Sequence, residues 1–156
     1  MKYAGDLLEG KNADMIAADV DLSVLEVLRI MVEKNIGAIL VKENDRIVGI
    51  WTEKDYVRNS LQAGFDPRTA RIGDYMTTTL HKASYTTPIP KLEEMYLGLY
   101  TRYVMIEKEG QYVGLLSIGD VLRANLLAKD REIKDLSAMA SWEYYENWGW
   151  DPKKKK

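Results

Sequence analysis

Apolar and polar residues in the first half of this chain follow the period of a helix and then the pattern of two strands. Apolar side chains within residues 22–35 are spaced three, three and one apart, which predicts a helix with one buried face, at Val24, Val27, Ile30 and Met31. Two short apolar runs follow at residues 37–42 and 46–51, and the turn-forming residues 43–45 separate them. We therefore expect a helix followed by a strand hairpin.

A seven-residue motif occurs twice in the chain, beginning at Gly49 and again at Gly114, an offset of 65 residues. It reads Gly, two apolar residues, a hydroxyl residue, two variable residues and Asp. The same offset superimposes the apolar helical face of residues 24–31 on residues 89–96. A repeat of this length predicts two copies of one supersecondary unit that pack together.

Each copy is predicted to read strand, helix, strand, strand, helix. In the first copy we expect the first strand at residues 15–18 and the last helix at about residues 52–63. Upstream of that first strand the best match shifts to an offset of 68, where Gly5 corresponds to Gly73. The first copy therefore carries three extra residues, which we predict to be a loop insertion around residues 9–14.

The second copy is predicted to begin its first helix near residue 87, with Pro88 in the first turn, where a missing N–H is tolerated. Strands are expected at residues 103–107 and 112–116, and a last helix at residues 117–139. A single copy of about 65 residues would bury too little surface to be stable alone. Two copies packed together would remedy this.

The chain divides into three predicted regions. Residues 1–67 form the first repeat, residues 68–139 the second, and residues 140–156 a C-terminal extension rich in aromatic residues and lysine. Five aromatic residues in this extension predict packing on the protein's own body or on a second copy of it: Trp142, Tyr144, Tyr145, Trp148 and Trp150. The lysines at 153–156 are predicted to be a solvated tail.

Composition narrows the classes of function. The 156 residues are 46% apolar, which supports a true core, and the net charge of −2 gives no general electrostatic case for binding nucleic acid. Without cysteine there are no disulfides and no thiolate metal sites. No apolar stretch is long enough for a signal peptide or a membrane span. We therefore expect a cytoplasmic protein.

The repeated motif places a hydroxyl residue at a predicted strand-to-helix junction, Thr52 in the first copy and Ser117 in the second, with Asp55 and Asp120 three residues later. Two interpretations are open. The pairs can form a capping box that only starts a helix. Alternatively, the free N–H groups of the helix start attract phosphate, and the carboxylate accepts two ribose hydroxyls. Capping and ligand contact do not exclude each other.

The chain resembles a tandem pair of CBS domains, the cystathionine-β-synthase-type regulatory repeats. The resemblance is carried by residues 36–55 and 71–120, spans about residues 3–137, and is greatest to small stand-alone bacterial members. It implies an α+β fold of two pseudo-twofold-related β-α-β-β-α repeats, in which small mixed sheets are flanked by helices. It also implies two clefts between the repeats that bind AMP, ADP, ATP or S-adenosylmethionine.

By that resemblance, each cleft is built around one Asp and the residues of its own repeat. The first would hold Thr52 and Asp55, with Ile16, Ala17 and Ala38 near the base. The second would hold Ser117 and Asp120, with His81, Lys82 and Tyr103.

Two arginines are further candidates for a phosphate contact, Arg102 in the second cleft and Arg58 one turn beyond Asp55, although Arg58 can equally be a solvated helix residue. Tyr103 can stack on a base or simply fill its cleft. We expect the Asp120 cleft to suit phosphate-bearing ligands and the Asp55 cleft to be roomier and more apolar.

Three functions are compared. The first is a non-catalytic regulatory module that senses an adenosyl ligand, changes shape and signals to a regulated protein that the sequence does not name. The second is a structural or assembly protein with degenerate clefts that acts through dimerisation and its aromatic extension. The third is an enzyme, but Ser117, His81 and Asp120 lack a nucleophile-elbow pattern. One histidine and no cysteine predict no metal site. A homodimer is expected, with contacts at residues 53–61 and 118–127.

Overall fold

The computed structural model describes residues 2–11 and 15–147 and, for residues 140–147, the backbone. The elements of this part of the chain follow one another in the order α1 (Ala4–Lys11), β1 (Ala17–Asp19), α2 (Val24–Lys34), β2 (Ala38–Glu43), β3 (Arg46–Thr52), α3 (Glu53–Ser60), α4 (Ile72–Tyr75), β4 (Lys82–Ser84), α5 (Ile89–Gly98), β5 (Tyr103–Lys108), β6 (Gln111–Ser117) and α6 (Ile118–Asn147).

The strands form two small mixed sheets with orders β1-β2-β3 and β4-β5-β6. In each sheet the first pair is parallel and the second antiparallel. Ala17 pairs with Leu40 in one sheet and Lys82 with Met105 in the other, so both partners are shifted by the same 65 residues. This matched register confirms the predicted α+β fold of two equivalent repeats.

Helix α2 shows why the apolar spacing produces a helix at this place. The Ser23 hydroxyl accepts from the Glu26 amide at 3.2 Å and the Glu26 carboxylate accepts from the Ser23 amide at 2.8 Å, so a capping box satisfies two backbone donors. The helix ends at Asn35, which adopts the left-handed conformation with φ of 52°. The predicted face at Val24, Val27 and Met31 is buried.

The leading helix of each repeat packs on the other repeat. Ala4 in α1 belongs to the core cluster that contains Leu92 and Leu116 of the second repeat. In the same way, Ile72 in α4 belongs to the cluster that contains Trp51 of the first repeat. The two halves are therefore interlocked through their leading segments, and each core needs both repeats.

Backbone hydrogen bonds fix this exchange at equivalent places. The Gly5 amide donates to the Tyr85 carbonyl at 2.9 Å, and the Gly73 amide donates to the Val20 carbonyl at 3.1 Å. Tyr85 and Val20 are 65 positions apart, whereas Gly5 and Gly73 follow the offset of 68 that the sequence predicted for the leading segments. The exchange therefore obeys the pseudo-twofold relation between the repeats.

Element boundaries differ from the sequence prediction at several places, including β1, which spans residues 17–19 instead of 15–18, and α3, which ends at residue 60 instead of about 63. Helix α1 continues to Lys11, so residues 9–11 of the predicted loop insertion are helical. Pro88 is extended, with ψ of 146°, and precedes α5 instead of lying in its first turn. Helix α6 runs on to Asn147, eight residues beyond the predicted end at Met139, because neither Gly nor Pro interrupts the sequence between Asp120 and Asn147.

Candidate functional site

The first repeated motif forms a capping box at the start of α3. Thr52 donates to Asp55 Oδ2 from its amide at 3.0 Å and from its hydroxyl at 3.1 Å. The Asp55 amide donates back to Thr52 Oγ1 at 3.3 Å. The capping interpretation is therefore correct for this motif. The Asp55 side chain is 13% exposed, and Arg58 Nη1 lies 3.8 Å from its Oδ1.

The second motif has the same geometry at the start of α6. Ser117 donates to Asp120 Oδ2 from its amide at 2.8 Å and from its hydroxyl at 2.9 Å, and the Asp120 amide donates to Ser117 Oγ at 3.2 Å. One further donor is present here. The Lys11 ammonium lies 2.9 Å from Asp120 Oδ2 and forms a salt bridge with it.

We call the first cleft between the repeats the Asp55 cleft. It has a volume of about 360 Å³ and is lined by Gly37, Ile50, Thr52, Glu53, Lys54, Asp55, Arg58, Thr77, Thr79, Leu80, His81, Leu99, Tyr100, Thr101, Arg102, Tyr103, Met105 and Leu115. It thus joins the motif of the first repeat to the segments of the second repeat that precede and follow α5.

The other cleft, which we call the Asp120 cleft, has a volume of about 300 Å³. Its lining includes Lys11 and Ser117, which both hydrogen-bond to Asp120. The other lining residues are mostly apolar: Leu8, Met15, Ile16, Asn35, Ile36, Gly37, Ala38, Leu40, Tyr103, Gly114 and Leu115.

The predicted division of site residues between the clefts is wrong. His81 and Arg102, which we expected beside Asp120, line the Asp55 cleft, and Ile16 and Ala38 line the other one. Tyr103 lines both. The Asp55 cleft is the larger, as predicted, but it is also the more polar. Three cationic side chains, Lys54, Arg58 and Arg102, line the Asp55 cleft, whereas Lys11 is the only one in the described lining of the Asp120 cleft.

The leading segment of each repeat packs on the other repeat, and this exchange explains why the predicted residues lie in the opposite clefts. Ile50 of β3 and Thr77 form an antiparallel bridge, with N–H···O distances of 2.9 and 2.8 Å. The bridge carries the chain that leads into β4 along β3 of the other repeat, so His81 arrives beside Thr52 of that repeat. An alignment of the two repeats matches positions but does not show which repeat supplies the facing wall.

Electrostatics also differ between the clefts. The Asp55 cleft contains the cationic side chains of Lys54, Arg58 and Arg102, together with His81. They outnumber the carboxylates of Glu53 and Asp55 in the described lining. The cleft therefore favours an anion.

In the Asp120 cleft the carboxylate is held by several partners. Burial raises the pKa of the Asp120 carboxyl, but hydrogen bonds from Ser117 and Lys11 and the charge of Lys11 lower it more, so the net pKa lies below the ordinary value. Between the clefts, burial and the Glu53 carboxylate raise the pKa of the Tyr103 hydroxyl, which keeps that group a hydrogen-bond donor.

Three predicted site residues are absent from both linings. Asp120 is one of them, and it bonds to Lys11 and Ser117, which line the Asp120 cleft. Ala17 is half-buried and pairs with Leu40 in the sheet. The Lys82 ammonium is 3.1 Å from Glu107 Oε2 and forms an exposed salt bridge. The three residues considered for a Ser-His-Asp enzyme are not grouped in one cleft. Ser117 bonds to Asp120, whereas His81 lines the Asp55 cleft.

Lys11 is the functional candidate that sequence reasoning missed, because it falls in the stretch predicted as a loop insertion. The shift of the offset from 65 to 68 was the available signal, since it marks three extra residues in the first repeat at this place. Lys54 and Thr101 of the Asp55 cleft were also missed, and no motif marks them.

The family model of the CBS domain matches residues 5–61 and again residues 72–126. The chain belongs to the CBS-domain family. The two matches fall on the two repeats, in the tandem arrangement that the sequence predicted. They end at residue 126, so the last 21 residues of α6 lie beyond the family match.

Two curated relatives have similar levels of identity. The mitochondrial CBS domain-containing protein CBSX3 of Arabidopsis thaliana is 29% identical over 143 residues, which is 87% of this chain and 69% of that protein. Hypoxic response protein 1 of Mycobacterium tuberculosis is 29% identical over 94 residues, 60% of this chain and 66% of that protein. The chain thus spans about two thirds of the length of these relatives.

Solved CBS-domain structures share the fold. The CBS-domain containing protein ATU1752 of Agrobacterium tumefaciens has a TM-score of 0.75 and 29% identity, covering 80% of this chain and 99% of its own. CBSX2, solved with AMP, has a TM-score of 0.67 and 23% identity over 83% of this chain and 99% of its own. The CBS domain pair of MJ0100, solved with 5-methylthioadenosine and S-adenosyl-L-methionine, has a TM-score of 0.67 and 21% identity, covering 80% and 95%.

The described residues lack both a membrane-spanning helix and a cluster of potential metal ligands. Across residues 2–11 and 15–147, no helix combines the length and the apolar character that crossing a membrane requires. The same residues contain no group of three or more His, Cys, Asp or Glu side chains that could hold a metal ion.

Proposed function

We propose that this protein is a non-catalytic regulatory module that binds an adenosyl ligand in the clefts between its two CBS repeats and signals by a change of shape. One observation carries the proposal. A half-buried carboxylate, Asp55, starts a helix in one repeat and shares a cleft with basic side chains from both repeats.

Asp55 is the ribose-binding group in this proposal. The capping bonds of Thr52 converge on Oδ2, and Arg58 is 3.8 Å from Oδ1, which is too long for a hydrogen bond. The two lone pairs of Oδ1 can therefore accept two vicinal hydroxyls without breaking the cap. A single carboxylate thus serves as both helix cap and ligand contact.

The phosphate of the ligand would lie near Arg102 and Arg58, whose guanidinium groups match phosphate geometry, and near Lys54. This cationic lining favours AMP, ADP or ATP over S-adenosylmethionine, whose sulfonium is positive. Ligands of this adenosyl class occur in two solved proteins of the same fold, which makes them the first to test.

The base would occupy the apolar part of the Asp55 cleft. Leu80, Leu99 and Met105 of the second repeat line it, opposite Ile50 of the first. A flat adenine between such side chains gains from burial on both faces. Binding would therefore connect the two repeats through a single ligand.

Signalling follows from that connection. The two clefts share Gly37, Tyr103 and Leu115 in their linings, so a ligand in one cleft contacts part of the wall of the other. A ligand that binds two arrangements of the repeats unequally shifts the population between them. The regulated protein would recognise one of these arrangements.

We also propose that the chain acts as a homodimer. Val57 on α3 and Leu61, the C-cap of that helix, are 63% and 85% exposed, and Leu122 and Leu126 on α6 are each 59% exposed. These are the two helices at which the sequence predicted the dimer contact. An apolar surface on two helices that both begin at a ligand motif would let ligand binding reach the interface.

A calorimetric titration of the full chain with AMP, ADP, ATP, NAD and S-adenosylmethionine tests the proposal. We expect saturable binding of at least one adenine nucleotide and weaker binding of S-adenosylmethionine. If none of the five binds at millimolar concentration, the sensing function is wrong and the assembly function replaces it.

A further inference from the structure

The carboxylate beside the Asp120 cleft has a lysine of the leading helix as a hydrogen-bond partner. Lys11 donates to the Leu115 carbonyl at 3.2 Å and to Asp120 Oδ2 at 2.9 Å. Its side chain is 34% exposed and that of Asp120 is 17% exposed. A cation from the leading helix therefore stands beside the carboxylate that corresponds to Asp55 in the other cleft.

The extra residues of the first repeat explain how Lys11 reaches this position. In the second repeat the short helix α4 ends at Tyr75, and Thr77 then donates its amide to the Ile50 carbonyl. Leu115 is the equivalent of Ile50 at the offset of 65. In the first repeat α1 remains helical to Lys11, and the Leu115 carbonyl accepts a hydrogen bond from the Lys11 ammonium.

Charge in this cleft depends on the same lysine. Among the described residues that line it, Lys11 is the only one whose side chain is charged at neutral pH. A phosphate that enters the Asp120 cleft therefore has one described cation to pair with, and that cation is already bound to Asp120. In the Asp55 cleft, by contrast, Arg102 and Lys54 are available to the ligand.

We propose that Lys11 makes the Asp120 cleft selective for adenosyl ligands that carry a phosphate. Such a ligand exchanges partners: its phosphate takes the Lys11 ammonium, and its ribose hydroxyls take the Asp120 carboxylate that Lys11 has left. Adenosine has no anion to offer, so its ribose must compete with Lys11 for Asp120. This inference rests on the proposed function, because it assumes that ribose binds the motif carboxylate.

The exchange is favourable for a nucleotide and unfavourable for a nucleoside. Lys11 loses one charge-assisted hydrogen bond and gains a stronger one, because a phosphate monoester carries about −1.5 to −2 charge at pH 7 and a carboxylate carries a single negative charge. With adenosine, the Lys11 ammonium and the Asp120 carboxylate lose each other without an ionic replacement. Removing the lysine should therefore change the two affinities in opposite directions.

The test uses the full chain labelled with ¹⁵N and titrated with AMP or adenosine. The Ser117 amide reports the Asp120 cleft and the Thr52 amide reports the Asp55 cleft, since each bonds to the carboxylate of its own cleft. In Lys11→Met, which keeps the length of the side chain, we expect adenosine to bind roughly tenfold or more tightly at Ser117 and AMP roughly tenfold more weakly.

Matched variants exclude indirect effects. Lys91→Met removes an exposed ion pair with Glu94 outside both clefts and should leave both affinities unchanged. Lys11→Met combined with Asp120→Asn should lose the gain in adenosine binding, because the ribose acceptor is weakened. The Asp120 carboxyl provides a readout without ligand, since its pKa should rise in Lys11→Met.

The outcomes are distinct. Opposite shifts of the two ligands at Ser117 support the inference. Equal shifts in the same direction overturn it, because Lys11 then only blocks the cleft or only stabilises the fold, and unchanged affinities overturn it too. If the parent binds AMP at Thr52 but neither ligand at Ser117 in any variant, the inference is wrong and the proposed function survives. If neither amide responds to either ligand, the proposed function is wrong as well.

Discussion

The side chain of Met76 covers the α-carbon of Gly49. A Cβ at Gly49 would lie 2.6 Å from Met76 Sδ, and a Cβ at the equivalent Gly114 would lie 2.6 Å from Leu8 Cδ2. The motif glycine of each repeat is thus the place where the leading segment of the other repeat rests. A glycine within a strand permits such a close approach because it has no side chain.

Replacing either motif glycine by alanine should weaken the interlock between the repeats. We expect Gly49→Ala and Gly114→Ala each to lower the free energy of unfolding by about 1–3 kcal/mol, because the added methyl overpacks the contact. Urea denaturation of each variant measures this. Gly10→Ala is the control, since nothing lies within 4 Å of its Cβ, and it should be neutral or stabilising. A motif variant as stable as the parent would show that the contact is loose.

The Lys11–Asp120 contact should make stability depend on pH in the acid range. The folded pKa of Asp120 is below its ordinary value, so the unfolded chain binds its proton first as pH falls. Stability from this group is fully present above the unfolded pKa of about 3.9 and is lost as pH falls through the lower folded pKa.

Asp120→Asn should remove this part of the pH dependence while keeping a capping oxygen for Ser117. Urea denaturation between about pH 2 and pH 6 measures the pH dependence of the free energy of unfolding, because this range covers the ordinary pKa of an Asp carboxyl. Asp130→Asn, in an exposed helical ion pair with Lys134, is the matched control. An Asp120→Asn curve parallel to that of the parent throughout this range would contradict the assignment.

Arg102 should contribute to the affinity for phosphate and not to the affinity for the nucleoside. In Arg102→Gln we expect AMP or ATP to bind about tenfold more weakly, because a charge-assisted contact is lost, while adenosine binds as in the parent. Arg46→Gln, at the start of β3, is the control because Arg46 lines neither cleft. Equal losses for nucleotide and nucleoside would mean that Arg102 shapes the cleft without contacting phosphate.

The exposed apolar faces of α3 and α6 should hold a dimer together. Static light scattering of the parent should give twice the chain mass of 17.9 kDa at micromolar concentration. Leu126→Glu should shift the mass toward the monomer, because a charge would be buried without a partner. Val32→Glu, at an 81% exposed position on α2, should leave the dimer intact. A monomeric parent would contradict the dimer, whereas a variant that stays dimeric would place the interface elsewhere.

The sequence predicted the fold because its periodic signals are local. The spacing of Val24, Val27 and Met31 and the duplicated motif are enough to define two equivalent α+β units. The assignment of residues to one cleft or the other was not predictable in this way, since it depends on which repeat each leading segment packs against. That contact joins residues far apart in the chain, such as Ile50 and Thr77, and periodicity carries no information about it.

The candidate site shows the same limit at the level of single residues. Thr52 and Asp55 were recognised because a capping box and a ligand motif have the same spacing. Lys11 was not, because its role depends on α1 remaining helical past the point where α4 ends. The predicted packing of the aromatic extension concerns residues 142–150, whose side chains lie outside the described part of the chain, as does the predicted lysine tail at 153–156.

The central claim, that the motif carboxylate of the Asp55 cleft holds the ribose of an adenine nucleotide, is tested most directly by calorimetric titration of AMP or ATP into the parent and Asp55→Asn. The substitution keeps the shape and the capping oxygen for Thr52, so the fold should survive. We expect affinity to fall roughly tenfold or more, since about 2–3 kcal/mol of charged hydrogen bonding to two hydroxyls is lost. If Asp55→Asn and Asp120→Asn both bind every nucleotide as the parent does, the carboxylates are helix caps only and the account is wrong.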